Sequence, residues 1–183
     1  MVHKIEPSAA PPVTLTSPYD LLTGYLDFYR EAVPRKLAGM SDEELRNSRL
    51  PSGWSPLGLF KHLACVELRW LQWGFNGESV EEPWADFTAD SRVWHVDPGE
   101  SFEDVEEFFQ EQCARSRTIV AAARLEDRAA TLGGKVPADE DRPTLIWILF
   151  HLLQEYARHV GHLDIARELA DGAVGEQAPA PPG

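Results

Sequence analysis

The chain has 183 residues, 43% of them hydrophobic, which suits one domain with a sizeable core and not a disordered chain. Seventeen Lys and Arg stand against 30 Asp and Glu, a formal net charge of −13. So acidic a surface repels nucleic-acid phosphates and anionic bilayers, and no basic stripe offsets it.

Residues 1–16 are broken by Pro7, Pro11 and Pro12 and residues 173–183 by Pro179, Pro181 and Pro182, so both are expected to be flexible tails flanking one domain over residues 17–172. Ser17-Pro18 opens the first long helix, as an N-cap followed by a proline whose missing N–H costs nothing there. Leu21, Leu22, Tyr25, Phe28 and Tyr29 recur at helical spacing, Pro34 is expected to kink or shorten the run, and Gly39 ends it. Ser41 with Glu44 three residues on predicts a short capped helix. A second long helix starts at Ser55-Pro56, continues through Leu59, His62, Leu63, Val66 and Trp70, and stops near Gly74. The third starts around Ser101 and carries Val105, Phe108, Phe109, Cys113 and Ile119, with the acidic run at 103–107 as its solvated first turn. The fourth runs from Pro143 to Leu169, with Gly172 as its cap.

Strand signals are nearly absent; only Val93-Trp94-His95-Val96 alternates, enough for a short extended piece. Residues 75–100 and 126–142 form long connections, and the first is long enough to cross the bundle and make the second and third long helices parallel. The expected fold is an all-α four-helix bundle with that crossover. No apolar run approaches the ~20 residues needed to span a bilayer, and residues 1–17 hold no apolar signal-peptide core, so a cytoplasmic location is expected. Cys65 and Cys113 stand singly in helical patterns and read as reduced, core-packed thiols.

The fourth helix carries the chemistry. At about 100° per residue, His151, Glu155, His159 and His162 fall within an arc of roughly 80°. That arc borders the apolar stripe of Leu145, Leu149, Leu152, Tyr156 and Leu163 and points away from Gln154 and Glu168. Unpaired polar groups at a core edge are costly, so four of them need partners. Glu155 and His159, four apart, sit one above the other and can grip one ion. His62, on an otherwise apolar face of the second long helix, is the third candidate ligand. Two imidazoles and one carboxylate suit zinc, nickel or ferrous iron and leave a position open for substrate or water. The competing reading makes His62 a hydrogen-bonded core histidine and Glu155–His159 a buried ion pair. Trp54, Trp70, Trp73 and Trp147 read as core packing, Trp84 and Trp94 as either packing or a pocket roof, and His3 and His95 have no evident partner.

These residues also carry a family resemblance. Trp54-Ser55-Pro56-Leu57-Gly58-Leu59 leading into His62-Leu63-Ala64-Cys65-Val66-Glu67, with Glu155-x3-His159-x-Gly161 near the end, resembles the DinB-like superfamily over about residues 17–172. Its members include bacterial thiol S-transferases and the mycothiol-dependent maleylpyruvate isomerase. The resemblance implies a four-helix bundle with a crossover between helices two and three. It places the family's metal ligands on His62, Glu155 and His159, and the glycine after the last ligand on Gly161. Glu155, where many relatives have His, resembles the mycothiol-dependent branch. His162 stands where many members have Gln, and no counterpart of the isomerase's additional domain is evident.

The activity implied is transfer of a low-molecular-weight thiol, mycothiol in this branch, to an electrophile, with the thiol held as thiolate on a divalent metal such as zinc. His162 or His151 would then carry a proton or support a ligand, and Trp84 and Trp94 could roof the cavity. The same ligands permit hydrolysis by a metal-bound water, and the same bundle could serve as a metal-binding stress-response protein without turnover. A homodimer through exposed apolar helix faces is compatible with the pattern.

Overall fold

Serine caps set where the helices begin. Ser17, Ser41, Ser55 and Ser101 each accept a hydrogen bond from the backbone N–H three residues on, closing donors that a helix start leaves unpaired. The computed structural model describes residues 10–80, 93–131 and 141–173. It contains α1 (Pro18–Leu37), α2 (Asp42–Arg46), α3 (Pro56–Glu67), α4 (Phe102–Ala121) and α5 (Leu145–Asp171), and no strand among the described residues. The all-α expectation therefore holds. The expected extended piece at Val93–Val96 is instead a turn at Val93 and Trp94 followed by irregular chain. Residues 1–9 and 174–183, most of the expected tails, lie outside the described residues.

Two local departures have physical causes. Pro34 lies inside α1 and does not end it: it falls in the last turn, where its missing donor removes a single bond, and the Ala38 N–H still reaches the Pro34 carbonyl. Gly39 then turns the chain with φ of 83°, a conformation costly for other residues. At the other departure α3 widens after Glu67 into a π-helical segment, Leu68–Phe75, whose register periodicity alone does not reveal. The segment ends with the Asn76 N–H bonded to the Leu71 carbonyl at 2.9 Å.

Helix α1 packs mainly on α5 and α3 on α4, while α3 also meets α5. The core between them is built from Leu26, Val33, Leu57, Phe60, Leu63, Phe109, Leu149, Leu152 and Tyr156, all essentially inaccessible. Arg167 of α5 donates to the Lys36 and Ala38 carbonyls at 2.8 Å, capping the C-terminus of α1, and Lys36 pairs with Asp164. The chain at 125–131 satisfies two helix ends at once. Its Leu125 and Asp127 carbonyls accept from Ile146 and Leu145 at the start of α5, at 3.0 and 2.8 Å. Its Ala130 and Thr131 N–H groups reach the Phe75 and Gly74 carbonyls at 3.0 and 2.9 Å. The start of α5 is thereby fixed against the end of the π-helical segment.

A polar chain crosses the apolar core. Arg30 of α1 grips Glu67 with both arms, Nε to Oε1 at 2.8 Å and Nη2 to Oε2 at 2.9 Å, and the Tyr156 hydroxyl of α5 donates to Oε1 at 2.7 Å. Burial favours the neutral acid, but the Arg30 charge and these donated bonds outweigh it and hold the Glu67 carboxyl below its ordinary value. Cys65 and Cys113 are buried and unpaired, as expected, and burial pushes each thiol to about 12, which leaves them unreactive.

Candidate metal centre

His62 leaves the buried face of α3 six residues before the π-helical segment begins at Leu68, and Glu155 and His159 leave the facing side of α5 one turn apart. His62 and His159 are buried and Glu155 is half-buried. Each offers one ligand atom, and the three atoms lie within 4.8 Å of one another. Glu155 Oε2 is 3.2 Å from His159 Nε2, a hydrogen bond, and 3.9 Å from His62 Nε2, too long for one. The predicted constellation is thus brought together.

The electrostatics favour a cation. The His159 hydrogen bond, and then His62, hold the Glu155 carboxyl well below the usual carboxylate range. Burial pushes His62 down, outweighing the Glu155 charge, so its imidazole is neutral near pH 7. A carboxylate and a neutral imidazole are the forms that bind a divalent ion. Nδ1 of both His62 and His159 is buried without a hydrogen-bond partner. These orphans lie on the ring edge away from Glu155, whereas the nitrogens that converge with the carboxylate oxygen form a mixed nitrogen and oxygen donor set around one point. The donor set therefore fits a divalent metal of the zinc, nickel or ferrous type.

Aromatic rings surround the cluster. Trp94 stacks on His62, with centroids 4.1 Å apart and planes 11° from parallel, and meets His159 edge-on at 5.7 Å. Its loop is seated on α3 in two places. Lys61 holds Glu100 at 2.7 Å, and the Trp94 carbonyl lies 2.6 Å from where a Cβ on Gly58 would stand. A glycine at 58 is what lets this backbone approach. Alanine in mid-helix is normally worth ~1 kcal/mol over glycine. Gly161→Ala, on an open face with nothing within 4 Å, should therefore raise the thermal midpoint. Gly58→Ala should lower it, because the loop must give way. A rise in both would show that the Trp94 loop is not seated as described.

His162 meets His159 at 5.4 Å and Trp54 at 5.9 Å, and lies beside the cluster without joining it. Burial, then the neighbouring His159, pushes His162 down. His151 stands on the other side of Glu155, stacked on Trp147 at 5.3 Å with planes 5° apart and 4.5 Å from Trp70. Burial pushes it down too, with Glu155 opposing. Trp147 corrects one expectation: it is 51% exposed and covers His151 where core packing was predicted. Trp84 lies outside the described residues. Sequence reading missed the Arg30–Glu67–Tyr156 chain, although a signal existed: Arg30 stands in line with Leu26, Val33 and Leu37 on the buried stripe of α1.

Two histidines and a glutamate converging from α3 and α5 of an all-helical bundle form a group that could hold a metal ion, as facing helices of bundles do. The chain belongs to the mycothiol S-transferase family, a DinB-like family whose model matches residues 21–172. No curated protein matches the chain. No helix among the described residues is long and apolar enough to cross a membrane.

Proposed function

We propose that this protein conjugates a low-molecular-weight thiol, mycothiol, to an electrophilic acceptor, using one divalent metal held by His62, Glu155 and His159. The observation that carries the reading is the convergence of ligand atoms from these three side chains within 4.8 Å of one another, in a family named for that transfer. A zinc ion there would supply positive charge beside an open coordination position, lowering the pKa of a bound thiol and keeping it as the nucleophilic thiolate.

The chain's own residues do the rest. Glu155 would bring the negative charge that retains the ion, and ring nitrogens of His62 and His159 would ligate it. Trp94, lying over His62 and His159, shields that side from water, which strengthens the charge interactions within. His151 and His162 flank the cluster as neutral imidazoles, and either can accept the thiol proton at a ring nitrogen. The setting is cytoplasmic, with residues 17–172 as the working unit. Trp147, Phe150, Ile165 and Leu169, between 47% and 57% exposed on α5, support a homodimer.

The test is mycothiol consumption against a reactive electrophile before and after chelation. Activity should disappear with the metal and return on adding zinc. Activity that survives complete stripping contradicts the mechanism. A metal-replete protein that binds no thiol is instead a hydrolase or a non-catalytic metal-binding protein.

A further inference from the structure

Arg30, Glu67 and Tyr156 come from three different helices and meet in the core, where Arg30 is 4% exposed and the other two are fully covered. Their place in the sequence relates them to the candidate metal ligands. Glu67 is the last residue of α3, five after His62, and Tyr156 stands between Glu155 and His159 on α5. Apolar side chains pack acceptably at several rotations of a helix, whereas a hydrogen bond of 2.7 Å between a rigid phenol and a fixed carboxylate accepts one. Glu67 is itself fixed, because Arg30 occupies both of its oxygens. Arg30 is braced in turn by Asp27, which accepts from it at 2.9 Å and from Arg117 of α4 at 2.9 Å. Rotating α5 by a fraction of a turn would break the Tyr156 bond and swing Glu155 and His159 off His62.

We propose that Arg30, Glu67 and Tyr156 are positioning residues for the metal centre: they lock α5 against α3 at the one rotation that converges His62, Glu155 and His159. The inference rests on the metal reading above. Among the described residues no hydrogen bond, ion pair or ring contact joins Arg30, Glu67 or Tyr156 to the three ligand side chains, so they act through helix placement. A buried ion pair contributes little net stability relative to apolar packing, so stability alone is a weak account of why one stands here.

Tyr156→Phe separates this role from a structural one, since it keeps the ring and removes only the hydroxyl. Cobalt(II) titration of the purified full chain gives affinity and a visible ligand-field spectrum, and thermal unfolding gives stability. The expected result is about tenfold weaker cobalt binding, the size of effect seen when support to metal ligands is lost, with an altered cobalt band. Ile119→Val, a core truncation on α4, should lower the melting temperature while leaving affinity and spectrum as in wild type. Glu67→Gln is the second variant: its amide oxygen still accepts from Tyr156, so its cobalt spectrum should stay near wild type although its stability falls further. Wild-type affinity and spectrum in Tyr156→Phe would overturn the positioning role and leave the metal reading intact. A wild-type chain that takes up no cobalt would overturn the metal reading, and the positioning role with it.

Discussion

Glu67→Ala is expected to cost about 3–5 kcal/mol of folding free energy, the penalty for stripping a buried cation of its partner. Arg30 would keep its charge with only the half-exposed Asp27 beside it, and the Tyr156 hydroxyl would lose its acceptor. Urea unfolding of the variant beside wild type measures this directly, and a loss below ~1 kcal/mol would mean that Arg30 escapes to solvent. The pH dependence has a definite sign. The Glu67 carboxyl is held below its ordinary value, so its contribution is present above the unfolded pKa of roughly 4.3. That contribution is lost as pH falls through the folded value. Glu67→Ala should therefore flatten the acid limb of the stability curve.

Glu155→Gln should weaken metal binding by more than ~100-fold, beyond the 10- to 100-fold typical of losing a ligand's supporting partner. The substitution keeps the shape of the side chain and removes the one negative charge among the three ligands. The two imidazoles that remain would have to hold a dication without charge neutralisation. Equilibrium dialysis against buffered zinc measures the change. Because Glu155 sits at the rim, its loss should cost far less folding stability than the loss of Glu67, so the two variants should fall in opposite orders for metal affinity and for unfolding. An affinity within a few-fold of wild type would remove Glu155 from the ligand set.

Much of the fold was legible in the sequence because its signals are local. Ser-Pro pairs and capping boxes mark the helix starts, and Gly39 and Gly172 mark two ends, each with positive φ. The candidate ligand cluster was legible for the same reason: Glu155 and His159 are one turn apart, and His62 interrupts an apolar face. What escaped depends on contacts between distant segments. The π-helical widening after Glu67 has no periodicity of its own, and although Trp94 was read as packing or a pocket roof, its seat over His62 depends on a carbonyl resting on Gly58, 36 positions earlier in the numbering. The core stripe of α5 hid a second role for Tyr156, because a phenol reads as apolar until its hydroxyl finds a partner. Trp147 was misjudged for the converse reason: its neighbours on the stripe are buried, but its own ring lies at the edge of the bundle, 51% exposed beside Trp70 and His151.

Thiol transfer as proposed depends on one divalent metal held by His62, Glu155 and His159. Elemental analysis of the purified chain beside Glu155→Gln, with mycothiol titration calorimetry on both, tests it most directly. The expected result is about one zinc per chain in wild type, as a three-ligand site holds, its loss in the variant, and heat on adding mycothiol only where the metal is present. Wild-type protein that remains metal-free after zinc is supplied, or that binds mycothiol equally well with and without Glu155, would contradict it.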